Sequence, residues 1–210
     1  MQTILDSLLM TFTIFLVIPF AGFLVHLLGR GILMCISRFI SMRLTMFIAN
    51  RITFVGVVHH ELSHAAFAVI TGAEVSNINL FKPNQNSLGS VSITPRGNFV
   101  IRSIQLMLSS IAPVITGCIS LYLIFNYIFP LDLGVLLNIV KVYIALSILL
   151  HMEMSFADIK GAFKGLPVCF SIGFVVVLIL SLTGVISETN YQMIKDLWYG
   201  ILTIWRFDNI

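Results

Sequence analysis

The chain contains runs of apolar residues about as long as a lipid bilayer is thick, and few architectures tolerate them. A hydrocarbon core of about 30 Å is crossed by a helix of about 20 apolar residues. Leu8–Leu28 and Ser109–Phe129 meet that length, and Leu133–Leu150 and Val168–Ile186 come close. Inside hydrocarbon, backbone N–H and C=O groups must bond within the segment, so such runs read as helices. Composition agrees. The chain is 58% hydrophobic and 10% charged, with mean hydropathy +1.02, whereas a soluble domain carries about 25% charged residues. The sequence therefore predicts an α-helical integral membrane protein. It forms a single polytopic domain over residues 1–210, with about five or six transmembrane or interfacial helices.

Charge adds orientation and excludes a class. The net charge of +3 is small and carries no aromatic-rich basic stripe, so nucleic acid is not an expected partner; the lipid bilayer is. Arg30, Arg38, Arg43 and Arg51 cluster around Gly31–Asn50, which reads as an interfacial amphipathic helix on the cytoplasmic side. Lys82, Arg96 and Arg102 pull the next connection the same way. No basic segment precedes the first apolar run, so it reads as a retained span rather than a signal peptide. Cys35, Cys118 and Cys169 are far apart, and no C-x-x-C spacing suggests a thiolate metal site or a disulfide.

One apolar run, Ile52–Ile70, carries the chemistry. It contains His60-Glu61-Leu62-Ser63-His64, a His-Glu-x-x-His pattern. Residues four apart share a helix face. His60 and His64 can thus aim two imidazoles at one zinc ion, with Zn–N distances of about 2.0–2.1 Å. Glu61 stands beside the metal as general base for its water. With five histidines in the chain, chance alone would give the pattern in about 0.2% of such sequences. The bland alternative is a pair of satisfied core histidines. It is disfavoured because a carboxylate and imidazoles at hydrocarbon depth are costly unless paired or metal-bound. His59 points off the metal face, and His26, at the end of the first run, reads as interfacial.

After Thr71-Gly72, a helix stop, the apolar period changes to two at Asn77-Ile78-Asn79-Leu80 and again at Ser90-Val91-Ser92-Ile93-Thr94. With the turn-rich Lys82–Ser87 between them, this predicts a small β-hairpin. A strand edge there, including Asn77 and Asn79, could hold an extended substrate through backbone hydrogen bonds; a plain covering loop is the alternative. Asn98–Leu108 reads as an amphipathic lead-in to the Ser109–Phe129 span, which Pro113 and Gly117 would loosen. Lys141, inside the fourth run, is either functional or snorkelling. Tyr191–Phe207, with Trp198, Tyr199 and Trp205, reads as an interfacial helix or a short last span.

A catalytic zinc needs a third protein ligand and an open position. The candidates are His151, Glu153 and Asp158, with Asp158 favoured. Its competitor role is local. Ser155 and Asp158 form the pattern of a capping box for a helix over 156–164, and one carboxylate is not expected to serve both roles fully.

On these residues the chain resembles the site-2 protease family of intramembrane zinc metalloproteases, in particular small bacterial-type members without a PDZ domain. The resemblance covers the His60–His64 helix, the hairpin, the Pro113 span and the Asp158 segment. In that family a later helix supplies an aspartate from an Asn-Pro…Asp-Gly motif. Here the place reads Ser155-Phe-Ala-Asp158-Ile-Lys-Gly161, without Asn-Pro, and Ser155 stands for the missing substrate-binding asparagine. The resemblance implies Zn2+, a bacterial cytoplasmic membrane, and peptide-bond hydrolysis in membrane-associated protein substrates. Two other readings use the same residues: a membrane zinc hydrolase of a non-protein substrate, and a non-catalytic zinc-binding scaffold.

Overall fold

The computed structural model describes residues 1–47, 51–80 and 89–207. The Lys82–Ser87 connector and the side chains of His26 and Trp205 lie outside the described set. Helices dominate. In order they are α1 (Gln2–Phe39), α2 (Met42–Phe47), α3 (Phe54–Ile70), α4 (Phe99–Leu123, extended by a π-helical turn, Ile124–Ile128), α5 (Val135–His151), α6 (Phe156–Leu182) and α7 (Glu188–Phe207). Strands β1 (Glu74–Asn79) and β2 (Ser90–Thr94) lie between α3 and α4. Among the described residues, three helical stretches are long and apolar enough to cross a membrane: Gln2–Ser37, Phe99–Ile128 and Phe156–Leu182. Helices α3 and α5 are apolar but shorter, 17 residues each, or about 25 Å.

Three expected boundaries are corrected. No break separates the first apolar run from Gly31–Asn50, since α1 continues to Phe39. A lone glycine costs a helix only about 1 kcal/mol, and arginine is a good helix former, so Arg30-Gly31 does not stop it. Asn98–Leu108 and the following run are likewise one helix. Asn98 caps it, its side chain accepting from the Ile101 amide at 2.9 Å. The run at Val168 belongs to a helix that starts at Phe156 and ends at Leu182. Gly184, with φ +76°, supplies the left-handed turn after it.

The chain forms two compact units, residues 18–166 and residues 1–17 with 167–210. In the first, α3 lies between α4 and α5. Tyr143 donates to the Ile52 carbonyl, the Gly56 amide donates to the Ser147 hydroxyl, and His60 meets the His151 carbonyl. The constant offset of 91 residues means that α3 and α5 run parallel. Gly56 makes this approach possible, because a Cβ there would overlap the Ser147 carbonyl. Pairs His59–Ser120, Ser63–Thr116 and His64–Ser109 make α4 antiparallel to α3. The start of α6 seats on α4 through Gly161 and Gly165, whose missing side chains leave room for Ser110 and the Ser103 carbonyl. Ile111, Val114, Met152 and Met154 form the apolar core beneath.

The hairpin is present. β1 and β2 pair antiparallel, with Asn79 opposite Ser90 and Asn77 opposite Ser92. A bulge between Val75 and Asn77 shifts the register, and β1 begins at Glu74, ahead of the alternation that starts at Asn77. In the second unit, α7 packs on the N-terminal half of α1 and the C-terminal half of α6. Tyr191 bonds both Ser7 and Ser181, Asp6 pairs with Lys195 at 2.9 Å, and Trp198 donates to Thr13 at 2.8 Å.

Candidate metal centre

His60 and His64 occupy one face of α3, as four-residue spacing requires. Their Nε2 atoms are 3.0 Å apart. Asp158, in the first turn of α6, completes the group: its Oδ1 lies 3.4 Å from His64 Nε2 and its Oδ2 4.0 Å from His60 Nε2. Four ligands about 2.05 Å from a tetrahedral ion are separated by about 3.3 Å, so the observed spacings bracket a metal site. Among the described residues this is the one cluster of three such groups able to hold a metal ion. Asp158 is therefore the residue that converges on the histidine pair.

The hydrogen bonds behind the histidines decide what their inner nitrogens can do. His60 Nδ1 lies 2.6 Å from the His151 carbonyl oxygen, and His64 Nδ1 lies 2.7 Å from that of Ser109. A carbonyl only accepts, so each Nδ1 must carry the proton and donate it. Each neutral ring then presents a bare lone pair at Nε2. Two lone pairs facing each other across 3.0 Å, with a carboxylate alongside, repel unless a cation or proton lies between them. The residues thus fit a divalent metal.

Both accepting carbonyls are freed by helix irregularities. Pro113 has no N–H, so the Ser109 carbonyl lacks its ordinary partner four residues on and is left for His64. His151 is the last residue of α5, where terminal carbonyls have no intrahelical partner. Pro113 and the end of α5 therefore set the tautomers of both rings.

Asp158 has one carboxylate oxygen in each of the two expected places, the helix cap and the histidine pair. Its Oδ2 accepts from the Ser155 amide at 2.8 Å, and its own amide donates to Ser155 Oγ at 3.2 Å. That is the reciprocal capping box. The other oxygen, Oδ1, is turned to His64. A carboxylate has lone pairs on both oxygens, so capping with one leaves the other able to bind an ion.

Glu61 is buried. Covering it is Gly89, also buried, immediately before β2: a Cβ there would lie 2.5 Å from Glu61 Cγ and 2.8 Å from Oε1. His59 turns away from the metal face, as expected, and meets Ser120 at 2.9 Å. His151 contributes its backbone to the site, while its ring bonds the Ser147 carbonyl at 3.0 Å. Neither its ring nor Glu153 joins the converging ligand atoms. Lys141 is buried and donates to the Leu131 carbonyl, far along α5 from His151. Asn77 and Asn79 lie on β1, and Ser155 is exposed beside Asp158.

Sequence reasoning missed Gly56, Gly89, and the pair Gly161 and Gly165. The last had a readable signal, since small residues four apart mark close helix packing. Gly56 and Gly89 had none beyond being glycine.

No protein-family model, curated protein or solved structure matches the chain. The geometry of the site is accordingly what the functional reading rests on.

Proposed function

We propose that this chain is an integral membrane zinc endopeptidase that cleaves membrane-associated protein substrates, with α1, α4 and α6 crossing the bilayer. One observation carries the reading: two Nδ1-protonated histidines and an aspartate aim acceptor atoms at a single point, beside a buried glutamate. Zinc suits the donor set. Two imidazoles and one carboxylate are three protein ligands, leaving a fourth position open, as catalytic zinc sites do.

His60, His64 and Asp158 would hold the ion, which when bound supplies Lewis-acid polarisation of the scissile carbonyl and of water. Glu61 takes the proton from the attacking water and returns it to the leaving amine nitrogen. The protonated Nδ1 atoms keep both ligand rings fixed against backbone carbonyls through the cycle. Substrate backbone pairs with the hairpin, with Asn77, Asn79 and Ser155 as the polar contacts. The hairpin beside the site favours a peptide over a lipid or small amide, because a strand offers unpaired amides and carbonyls to an extended chain.

The test is Glu61→Gln in purified protein. Zinc content by elemental analysis stays at one per chain, and cleavage of co-expressed membrane-protein substrates is lost. Cleavage at the unsubstituted rate sinks the assignment. Zinc retention with no change in any substrate's fate, in either protein, favours the scaffold.

A further inference from the structure

Helix α3 carries Glu61 about two and a half turns before its end at Ile70, a distance of about 14 Å. The chain then reverses. Gly72, with φ +81°, turns it, and the Ala73 amide bonds back to the Ala68 carbonyl at 2.8 Å. β1 leaves from this anchored point, and its six residues extend about 20 Å. Ser90 pairs with Asn79, at the far end of β1. The residue before Ser90 is thus at the hairpin's distal end, and it returns to Glu61. There Gly89 is so close that a Cβ would stand 2.5 Å from Glu61 Cγ, 2.8 Å from Oε1 and 2.9 Å from Cδ. Ordinary side chains essentially never approach so closely. The three atoms it would strike all belong to one glutamate side chain, and no backbone atom is among them.

We propose that Gly89 is a positioning residue for Glu61. Its bare backbone forms the wall that holds the glutamate in one rotamer beside the metal ligands, and a glycine is required because any side chain evicts the carboxylate. This rests on the zinc endopeptidase reading for the role of Glu61. The contact itself stands on geometry alone. Because a glutamate side chain yields more easily than a paired strand, Gly89→Ala displaces the acid and leaves the fold and the metal ligands in place.

The experiment uses the full chain, purified in detergent and loaded with zinc, as Gly89→Ala, Glu61→Ala and the double variant. Gly89→Ala is expected to lower kcat by about tenfold to a hundredfold, the cost of misplacing a reacting group by about an ångström. KM, zinc content and the thermal midpoint stay unchanged. Glu61→Ala ends the side chain at Cβ and so removes every atom that a Gly89 Cβ would strike, Cγ, Cδ and Oε1. In that background, adding Gly89→Ala is expected to cost no more than about twofold, since contacting residues are not additive.

A readout without turnover accompanies it. Acetohydroxamate binds zinc and hydrogen-bonds a neighbouring carboxylate, and its affinity is expected to fall about tenfold in Gly89→Ala, as in Glu61→Gln. Wild-type kcat in Gly89→Ala, equal losses from Gly89→Ala with and without Glu61→Ala, unchanged hydroxamate affinity, or loss of zinc would each overturn the proposal. If no protein is cleaved by the unsubstituted enzyme but hydroxamate affinity still falls, the endopeptidase reading fails and the Gly89–Glu61 contact stands.

Discussion

The two units bury polar groups in opposite ways. In residues 1–17 with 167–210, the buried polar groups meet complementary partners: Asp6 meets Lys195, the Tyr191 hydroxyl meets those of Ser7 and Ser181, and the Trp198 N–H meets Thr13. Such groups hold helices together and ask for nothing more. In residues 18–166 the outer nitrogens of His60 and His64 are equally satisfied, but their inner faces are not complementary. Acceptor looks at acceptor, and a carboxylate joins them. Burial of polar groups alone does not mark a site. Burial of several lone pairs aimed at one point does, because only something positive relieves it.

That contrast can be broken experimentally, and the largest effect comes first. His64→Ala removes one of the facing acceptors and is expected to abolish both zinc retention and cleavage, read by elemental analysis and by substrate processing. Glu61→Gln keeps zinc and lowers cleavage by about 10²–10⁴-fold, the usual worth of a general base. Pro113→Ala restores an N–H that competes for the Ser109 carbonyl. Zinc affinity, measured by chelator competition, should fall by about tenfold, as when a ligand's outer hydrogen bond is lost. Tyr191→Phe serves as the control from the complementary unit. It is expected to cost about 0.5–1.5 kcal/mol of stability, read from the denaturation midpoint, and to leave zinc affinity unchanged. A drop in zinc affinity there would erase the distinction between the two kinds of burial.

The spacing of His60 and His64 was legible because helix geometry converts a four-residue interval into a shared face. Asp158 was less so. Nothing local tells a capping aspartate from a ligand, and the answer lies in how closely the start of α6 approaches α3, from a distant part of the chain. The hairpin announced itself by its period of two, yet its bulge did not, since an extra residue leaves side-chain pattern nearly intact. The carbonyls of Ser109 and His151 were invisible as site components. Backbone oxygens are the same in every residue, and only Pro113 and the end of α5 make these two available. Helix limits were misjudged where charge was read as a boundary. Arg30 and Arg38 sit comfortably within α1, because helical backbone is indifferent to a long side chain that finds its own way outward.

The shared carboxylate of Asp158 has a consequence of its own. One oxygen closes the first turn of α6 while the other faces the histidines, so ordering that turn and filling the centre become linked equilibria. Chelation should then be felt as fraying: the amides of Ser155 and Asp158 would exchange with deuterated solvent faster once the ion is stripped, and slow again when it is returned.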